Sequence, residues 1–169
     1  EGLRSPPGRL ESLGGDGEPL VIVDYAHTPD ALENVLLTLR DVATARGGEL
    51  FVVFGCGGDR DKGKRPQMGE VASRLADRVV LTSDNPRRED PAQIIAEIKA
   101  GAIRAESEVD RATAIARAID SAAESDVVLL AGKGHEAYQE ANGVRTPFSD
   151  FSQARAALEA RRRARREVA

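Results

Sequence analysis

The residues best suited to chemistry are Asp84, Asn85, Pro86 and Arg87, which follow a mainly apolar run at 79–83. They supply, in order, a carboxylate, an amide, a rigid turn and a guanidinium. Pro86 fixes its own φ and biases Asn85 towards an extended backbone, so Asn85 and Arg87 keep a set relation. If the apolar run is a strand of an open α/β sheet, ligands collect at its carboxyl end. The segment therefore predicts a binding site, with an Asx-turn and a surface arginine as the alternative.

Three more apolar runs end in polar or glycine-rich segments. The first leads into Asp24-Tyr25-Ala26-His27-Thr28-Pro29, the second into the segment 55–65, which holds Arg60, and the last into Gly132-Lys133-Gly134-His135-Glu136. Because the carboxyl ends of parallel strands share one edge of a sheet, we expect these segments to converge. Their convergence with Asp84–Arg87 predicts a single functional site.

Strands and helices alternate along nearly the whole chain. Strand patterns at 20–24, 49–55, 78–83, 107–109 and 127–131 alternate with helical patterns at 30–45, 67–77, 111–124 and 151–166, and a further helix opens at Pro91. This alternation predicts an α/β, Rossmann-like fold, with a mostly parallel sheet of about six strands and helices on both faces. Within 137–148, Asn142-Gly143 is typical of a tight hairpin turn and predicts an antiparallel strand at one edge.

Length, charge and cysteine content limit the classes of protein. The 169 residues are enough for one well-buried domain, and the net charge of −4 argues against a nucleic-acid partner. The basic block at 161–166 ends an alanine-rich helix, where cations suit the helix dipole. With Cys56 as the single cysteine, no signal peptide and no apolar run of membrane length, we expect a cytoplasmic protein without a membrane partner. Cys56 itself is expected to be a small buried residue.

The first nineteen residues differ from the rest of the chain. They are rich in glycine and proline and show no helical or strand pattern. We interpret 1–19 as an entry segment from missing upstream domains, and we expect it to be disordered without them.

Two segments imitate nucleotide-binding motifs, but each lacks an essential part. Residues 58–64 fit G-x-x-x-x-G-K, yet Arg65 stands where a P-loop needs Ser or Thr for Mg²⁺. Residues 132–137 fit G-x-G-x-x-A after a strand, but a hairpin pattern follows where a dinucleotide site needs a helix. No metal site is predicted either, because His27 and His135 lie far apart and neither has a second ligand at helical spacing.

Five motifs occur in one order along the chain: Gly8-Arg9-Leu10-Glu11, the segments 23–32 and 54–66, Asp84-Asn85-Pro86-Arg87, and Gly132-Lys133-Gly134-His135-Glu136. Together they resemble the C-terminal domain of the Mur ligases, and within that family the branch that adds meso-diaminopimelate. The resemblance covers nearly the whole chain. It implies that residues 20–169 form the amino-acid-binding C-terminal domain of a ligase of peptidoglycan synthesis.

The resemblance also implies a reaction and its partners. In this family ATP phosphorylates the D-Glu γ-carboxylate of UDP-MurNAc-L-Ala-D-Glu, and the amino group of the incoming amino acid attacks the acyl phosphate. ATP and Mg²⁺ are held mainly by a central domain with a P-loop, and the UDP-sugar by an N-terminal domain. Neither domain is recognisable in these 169 residues, so we expect the isolated chain to be inactive as a ligase.

The positions that match the family's amino-acid site are Arg60, Asp84, Asn85, Pro86, Arg87, Gly132 and Glu136. The resemblance implies that Arg87 and Arg60 bind the carboxylates of meso-diaminopimelate. Glu136 and the Gly132 carbonyl then accept hydrogen bonds from its ammonium, and Asp84 is expected to orient Arg87 or the turn. Lysine lacks the distal carboxylate that Arg87 would bind, so the motif favours diaminopimelate.

Arg9, Asp24, Tyr25 and His27 match positions that approach ATP in the family. Structural roles are the alternative for two of them, because Asp24 is placed to cap the turn before the helix and His27 to bond the backbone. The sequence does not decide whether Lys62, Lys64 and Arg65 face phosphate groups or solvent. A lysine-adding ligase of the same family and a standalone amino-acid or nucleotide-binding module remain as alternative functions.

Overall fold

The computed structural model describes residues 8–169, and its main element is a six-stranded sheet. The strands are β1 (Glu11–Gly14), β2 (Leu20–Asp24), β3 (Leu50–Phe54), β4 (Arg78–Leu81), β5 (Glu106–Ser107) and β6 (Val127–Ala131). They lie in the order β1-β2-β6-β3-β4-β5, and all neighbours are parallel except β1, which is antiparallel to β2. The predicted α/β fold, mostly parallel with one antiparallel strand, is confirmed.

Five helices occur between residues 8 and 169: α1 (Pro29–Arg46), α2 (Lys64–Leu75), α3 (Pro91–Lys99), α4 (Arg111–Ser121) and α5 (Asp150–Val168). The chain moves from β2 to β5 through α1, α2 and α3 and returns to β6 through α4. Because crossovers between parallel strands are right-handed, the return places α4 on the opposite face of the sheet. None of these helices combines the length and the apolar character needed to cross a membrane.

Two apolar cores hold the helices against the two faces. Leu36 and Ile98 belong to the core under α1, α2 and α3, whereas Ile115 and Leu158 belong to the core under α4 and α5. Every residue of β3 and β6 is buried, as expected for central strands covered on both sides. Cys56 lies in the first core, where burial raises the pKa of its thiol to about 12, so its prediction as a small buried residue is confirmed.

The hairpin at 137–148 is not an edge of the main sheet, so that part of the prediction is wrong. Its strands β7 (Tyr138–Ala141) and β8 (Val144–Pro147) pair with each other in a separate two-stranded sheet. Asn142 and Gly143 form the turn with positive φ, as their types predict. All four residues of β8 are exposed, which leaves the hairpin no apolar face to bury in the sheet. It lies instead against the loop that follows β4.

The antiparallel edge strand comes from the segment that was expected to be disordered. Glu11–Gly14 pairs with β2, so the expectation of disorder is wrong for these residues. The signal was weak because Leu13 is the only large apolar residue in this short strand. Residues 1–7 lie outside the described part of the chain, and the origin of 1–19 in an upstream domain stays a prediction.

Candidate functional site

The polar segments that follow β2, β3, β4 and β6 meet in one open cleft of about 490 Å³. The cleft is lined by Tyr25, His27, Thr28, Gly57, Arg60, Asp61, Lys64, Asp84, Asn85, Arg87, Gly132 and Glu136. Of the residues predicted for the amino-acid site, only Pro86 does not line it, and Pro86 is buried beside it. The structure therefore brings the predicted residues together, while their ligand stays a prediction.

Asp84 is buried in the cleft wall against Gly132. A Cβ at residue 132 would lie 2.8 Å from Asp84 Oδ2, and its φ is +111°, so this position requires glycine. Burial raises the pKa of the Asp84 carboxyl, and the positive charges of Arg111 and Lys133 oppose that shift. No hydrogen bond between described residues joins the Asp84 carboxylate to Arg87. Of the two expected roles of Asp84, orienting Arg87 has no direct contact to support it, and orienting the turn stays a prediction.

Asn85 joins the loop after β4 to the loop after β6. Its Oδ1 accepts hydrogen bonds from Lys133 Nζ and from the Glu140 amide, both at 3.0 Å. Its Nδ2 donates to Glu136 Oε1 at 3.3 Å, and Lys133 Nζ donates to the same oxygen at 3.2 Å. Lys133 is fully buried, so these contacts hold its charge away from water. Glu136 Oε2 has no partner among the described residues and is available to a ligand.

The hairpin holds Arg87 in place. Its amide donates to the Glu140 carbonyl at 3.0 Å, and the Asn142 amide donates to the Arg87 carbonyl at 2.7 Å. Its Nε donates to Glu140 Oε2 at 3.2 Å, and its Nη1 to the Gly58 carbonyl at 2.9 Å. Nη2 has no partner among the described residues, and Nη1 keeps a second hydrogen. The outer edge of the guanidinium can therefore donate two parallel bonds to a carboxylate.

The loop after β3 touches the loop after β4 at Gly58. The Gly58 amide donates to the Asn85 carbonyl at 2.8 Å, and a Cβ at residue 58 would lie 1.8 Å from the Pro86 carbonyl oxygen. Only glycine allows this approach. Pro86 thus contributes its backbone, whereas Arg60 stays exposed on the neighbouring loop and bonds the Asp59 carbonyl at 3.0 Å.

The basic residues after Arg60 have different environments. Arg65 is fully buried and pairs with Glu89 at 2.6 Å and with Glu97 at 2.5 Å, so it faces neither phosphate nor solvent. Lys62 is largely exposed and lies 3.4 Å from Glu89. Lys64 lines the cleft, and its Nζ donates to the His27 carbonyl at 3.0 Å. Lys64 is thus the cation of this segment that is placed to face a ligand.

A smaller pocket of about 240 Å³, lined in part by Arg9, Asp24, Tyr25 and His27, lies beside the cleft. Asp24 accepts from the amides of Leu10 at 2.9 Å and Ala26 at 2.8 Å. His27 Nδ1 bonds the Tyr25 carbonyl at 2.8 Å, and the two rings meet edge-on. The structural alternative is therefore present for both residues, because Asp24 accepts from the turn before α1 and His27 bonds the backbone. The cap of α1 itself is Thr28. A role towards ATP stays a prediction.

A buried ion pair supports the cleft from inside the domain. Arg111 donates from Nε and Nη2 to Asp150 at 2.8 and 2.7 Å, and both side chains are fully buried. The same guanidinium donates to the carbonyls of Ser83 at 3.0 Å and Ala131 at 3.1 Å. These carbonyls directly precede Asp84 and Gly132. Arg111 thereby fixes two of the cleft loops relative to each other and to α5.

Sequence reasoning missed two residues that organise the site, Lys133 and Glu140. A lysine between two glycines after a buried strand was the available signal for Lys133. Glu140 carried none, because a charged residue on a hairpin is ordinarily solvated. The described residues contain no group of three or more His, Cys, Asp or Glu side chains arranged to hold a metal ion.

Comparison with known proteins decides the family. The model of the Mur ligase glutamate ligase domain matches residues 8–134, which is more than half of the chain. The chain belongs to the Mur ligase family. A family member from Acidovorax sp. (strain JS42), named UDP-N-acetylmuramoyl-L-alanyl-D-glutamate–2,6-diaminopimelate ligase, is 62% identical over 159 residues. A Mur ligase of the same name from Pseudomonas aeruginosa is 59% identical over 161 residues.

The chain spans about a third of the length of these Mur ligases: the alignments cover 92% and 94% of this chain but 32% of each relative. A solved structure of a diaminopimelate ligase of the same name superposes with a TM-score of 0.84 at 49% identity, covering 95% of this chain and 33% of that one. A folylpolyglutamate synthase/dihydrofolate synthase with L-glutamate bound superposes with a TM-score of 0.61 at 22% identity, covering 92% of this chain and 32% of that one. At this identity the similarity shows a shared fold only.

Proposed function

We propose that this chain is the C-terminal part of an ATP-dependent ligase that joins meso-diaminopimelate to the D-Glu γ-carboxylate of UDP-MurNAc-L-Ala-D-Glu. In this proposal residues 20–169 are the domain that binds the incoming amino acid. Relatives named as diaminopimelate ligases are 56–62% identical to the chain, which supports the substrate. Since ATP and nucleotide-linked sugars are cytoplasmic compounds, we expect the reaction in the cytoplasm.

The observation that supports this proposal most strongly is that a cation and a carboxylate stand side by side in the cleft wall, each with atoms available to a ligand. Among the described residues, three guanidinium hydrogens of Arg87 have no partner, two of them on its outer edge, and one carboxylate oxygen of Glu136 has none. Asn85 bonds both Glu136 and the Glu140 backbone that holds Arg87, so the two charges keep a set relation. The far end of meso-diaminopimelate carries one carboxylate and one ammonium. This zwitterion complements the site in charge and in hydrogen-bond direction.

Each end of the amino acid has a partner under this proposal. Arg87 binds the distal carboxylate through two parallel bonds, while Glu136 and the Gly132 carbonyl accept from the distal ammonium. Arg60, exposed on the neighbouring loop, is available to the second carboxylate. Lysine would satisfy Glu136 but would leave the outer edge of Arg87 unpaired, which costs on the order of 1–3 kcal/mol. The charges of the cleft therefore favour diaminopimelate over lysine.

The chain also contributes to the ATP side under this proposal. Arg9, Tyr25 and His27 line the smaller pocket, and Lys64, which lines the cleft, donates to the His27 carbonyl. A cation, an aromatic face and an imidazole suit contact with a nucleotide, so the residues fit this role. Bound ATP would supply the phosphoryl group that activates the γ-carboxylate. The described residues offer no cluster for Mg²⁺, which we assign to the remainder of the ligase.

In the ligation step, the chain's own residues orient the nucleophile. With its far end held by Arg87 and Glu136, the reacting amino group of diaminopimelate is directed out of the cleft towards the acyl phosphate. A C–N bond forms, the bond between the carbonyl carbon and the phosphate oxygen breaks, phosphate leaves, and the amine loses a proton. Fixing one end of a substrate in this way lowers the entropic cost of the attack.

Calorimetric titration of the full-length protein tests the proposal. We expect meso-diaminopimelate to bind and lysine to bind about 5- to 150-fold more weakly, because only the former pairs with Arg87. Equal binding of both amino acids, or tighter binding of lysine, would contradict the assignment. The purified 169-residue chain should show no ATP-dependent ligation. Measurable ligation by it would refute the proposal that the remainder of the ligase is needed for phosphoryl transfer.

A further inference from the structure

One carboxylate, Glu89, connects the two arginine-bearing loops of the cleft from behind. It lies after the Asp84–Arg87 segment and is mostly buried, with 17% of its side chain exposed. Its Oε2 accepts from Arg65 Nη2 at 2.6 Å and from the Asp59 amide at 2.7 Å. Its Oε1 accepts from Arg65 Nη1 at 3.1 Å. Neither Glu89 nor Arg65 lines the cleft, so both act on it only through other groups.

The bond to the Asp59 amide sets the conformation of the residue before Arg60. Asp59 has a φ of +54°, a left-handed conformation that is costly for a residue other than glycine. The bond from its amide to Glu89 compensates for that cost, because in this conformation the amide has a charged acceptor. The direction in which Arg60 leaves the loop is therefore tied to Glu89.

The same ion pair also fixes the loop on its other side. Arg65 Nη2 donates to the Gly57 carbonyl at 3.0 Å, and Gly58 in turn bonds the backbone of Asn85 and the guanidinium of Arg87. The ion pair between Arg65 and Glu89 therefore contacts the loop after β3 at two points, the Gly57 carbonyl and the Asp59 amide, on either side of Gly58. Hydrogen bonds from Arg65 and from the Asp59 amide hold the pKa of Glu89 at about 2, so it stays ionised at neutral pH.

We propose that Glu89 is a positioning residue for amino-acid binding: through Arg65 and the Asp59 amide it sets the separation of Arg60 and Arg87. This inference rests on the proposed function, in which these two arginines bind the carboxylates of diaminopimelate. Glu89 touches no substrate itself. Its loss therefore weakens amino-acid binding by misplacing Arg60, while the transfer of phosphate from ATP is unaffected.

Glu97 provides a matched control. Its carboxylate also pairs with Arg65, at 2.5 Å, and it has no bond to the Asp59 amide. Glu89→Ala and Glu97→Ala each remove one negative charge from the same buried guanidinium. Only Glu89→Ala releases the loop that carries Arg60. Glu89→Gln is the conservative variant, because its amide oxygen can still accept from the Asp59 amide.

In the full-length ligase, Glu89→Ala should raise KM for meso-diaminopimelate about tenfold or more, with kcat and KM for ATP within about twofold. Glu97→Ala should leave KM for diaminopimelate within about twofold at a similar loss of thermal stability, and Glu89→Gln should recover most of the affinity. An unchanged KM in Glu89→Ala, or an equal rise in Glu97→Ala, would overturn the inference. If Glu89→Ala does not fold, Glu89→Met, which keeps most of the side-chain volume but offers no oxygen to the Asp59 amide, is compared with Glu97→Met, and the same difference in KM is expected.

Hydrogen exchange separates this inference from the proposed function. The Asp59 amide should lose protection in Glu89→Ala and keep it in Glu97→Ala, whatever the substrate is. Equal protection in the two variants would overturn the positioning role. Wild-type enzyme that ligates no diaminopimelate would instead refute the proposed function, and the exchange result would still decide whether Glu89 holds the Arg60 loop.

Discussion

Arg87→Ala should abolish the proposed preference of the cleft for diaminopimelate over lysine. The substitution removes the guanidinium edge proposed to bind the distal carboxylate. It leaves Glu136 in place, because Glu136 is held by Asn85 and Lys133 rather than by Arg87. The ammonium of either amino acid keeps its acceptor, and only the substrate with a distal carboxylate loses a partner.

The size of the effect follows from the geometry around the guanidinium. Nε and one hydrogen of Nη1 are used by described residues, so three of the five hydrogens remain, and two of them, one on each Nη, can form a bidentate contact with the ligand. The side chain is 21% exposed, which places these charge-assisted bonds at the lower end of their range. We expect a loss of about 2–3 kcal/mol in diaminopimelate binding, or roughly 30- to 150-fold.

The assay is steady-state ligation by the full-length enzyme, with kcat/KM measured for diaminopimelate and for lysine. Arg87→Ala should lower the ratio of the two values by about 30- to 150-fold, almost entirely through the diaminopimelate term. Arg88→Ala is the matched control, because the neighbouring arginine is exposed and forms no ion pair within residues 8–169. A parallel fall for both amino acids, or the same fall in Arg88→Ala, would refute the reasoning.

Three further predictions concern stability. Arg111→Met should lower the free energy of unfolding by about 3–5 kcal/mol, because it leaves the buried carboxylate of Asp150 without its ion-pair partner. The double variant Arg111→Met with Asp150→Leu should recover most of that loss, as measured by urea denaturation. Gly58→Ala should destabilise the protein by more than about 1 kcal/mol, because the added Cβ meets a backbone carbonyl. The control is Gly63→Ala, whose Cβ meets only one carboxylate oxygen at 3.2 Å. Its stability should stay within about 1 kcal/mol of wild type in thermal melting. The pKa of Glu89 falls from 4.5 to about 2 on folding, so its stabilisation is complete above pH 4.5 and is lost as the pH falls through 2. Glu89→Gln should therefore flatten the acid limb of the stability curve, and an unchanged acid limb would show that the ion pair does not control it.

The fold and the convergence of the site could be predicted because both depend on local pattern. Apolar runs such as 127–131 mark strands, and the carboxyl ends of parallel strands must share one edge. The sequence alone therefore predicts that Asp84, Arg87 and Glu136 lie at one place. Their meeting in the cleft required only the topology of the sheet.

What could not be predicted depends on contacts between distant segments. Glu11–Gly14 has too little apolar character to identify itself as a strand, and it forms one because β2 offers an open edge. The hairpin had a clear turn signal, but its docking depends on Glu140 meeting Arg87, which no spacing rule encodes. Asp84 was expected to orient Arg87 or the turn, and proximity in sequence could not show that Arg87 bonds Glu140, a residue far away in the chain.

The proposed role of this domain is to select meso-diaminopimelate for addition to a nucleotide-linked peptide. A competition assay tests it most directly: the full-length protein is supplied with ATP, Mg²⁺, UDP-MurNAc-L-Ala-D-Glu and equal concentrations of meso-diaminopimelate and lysine, and the product is identified by mass spectrometry. We predict a product that carries diaminopimelate almost exclusively. A product that carries mainly lysine, or an equal mixture of both, would contradict the account.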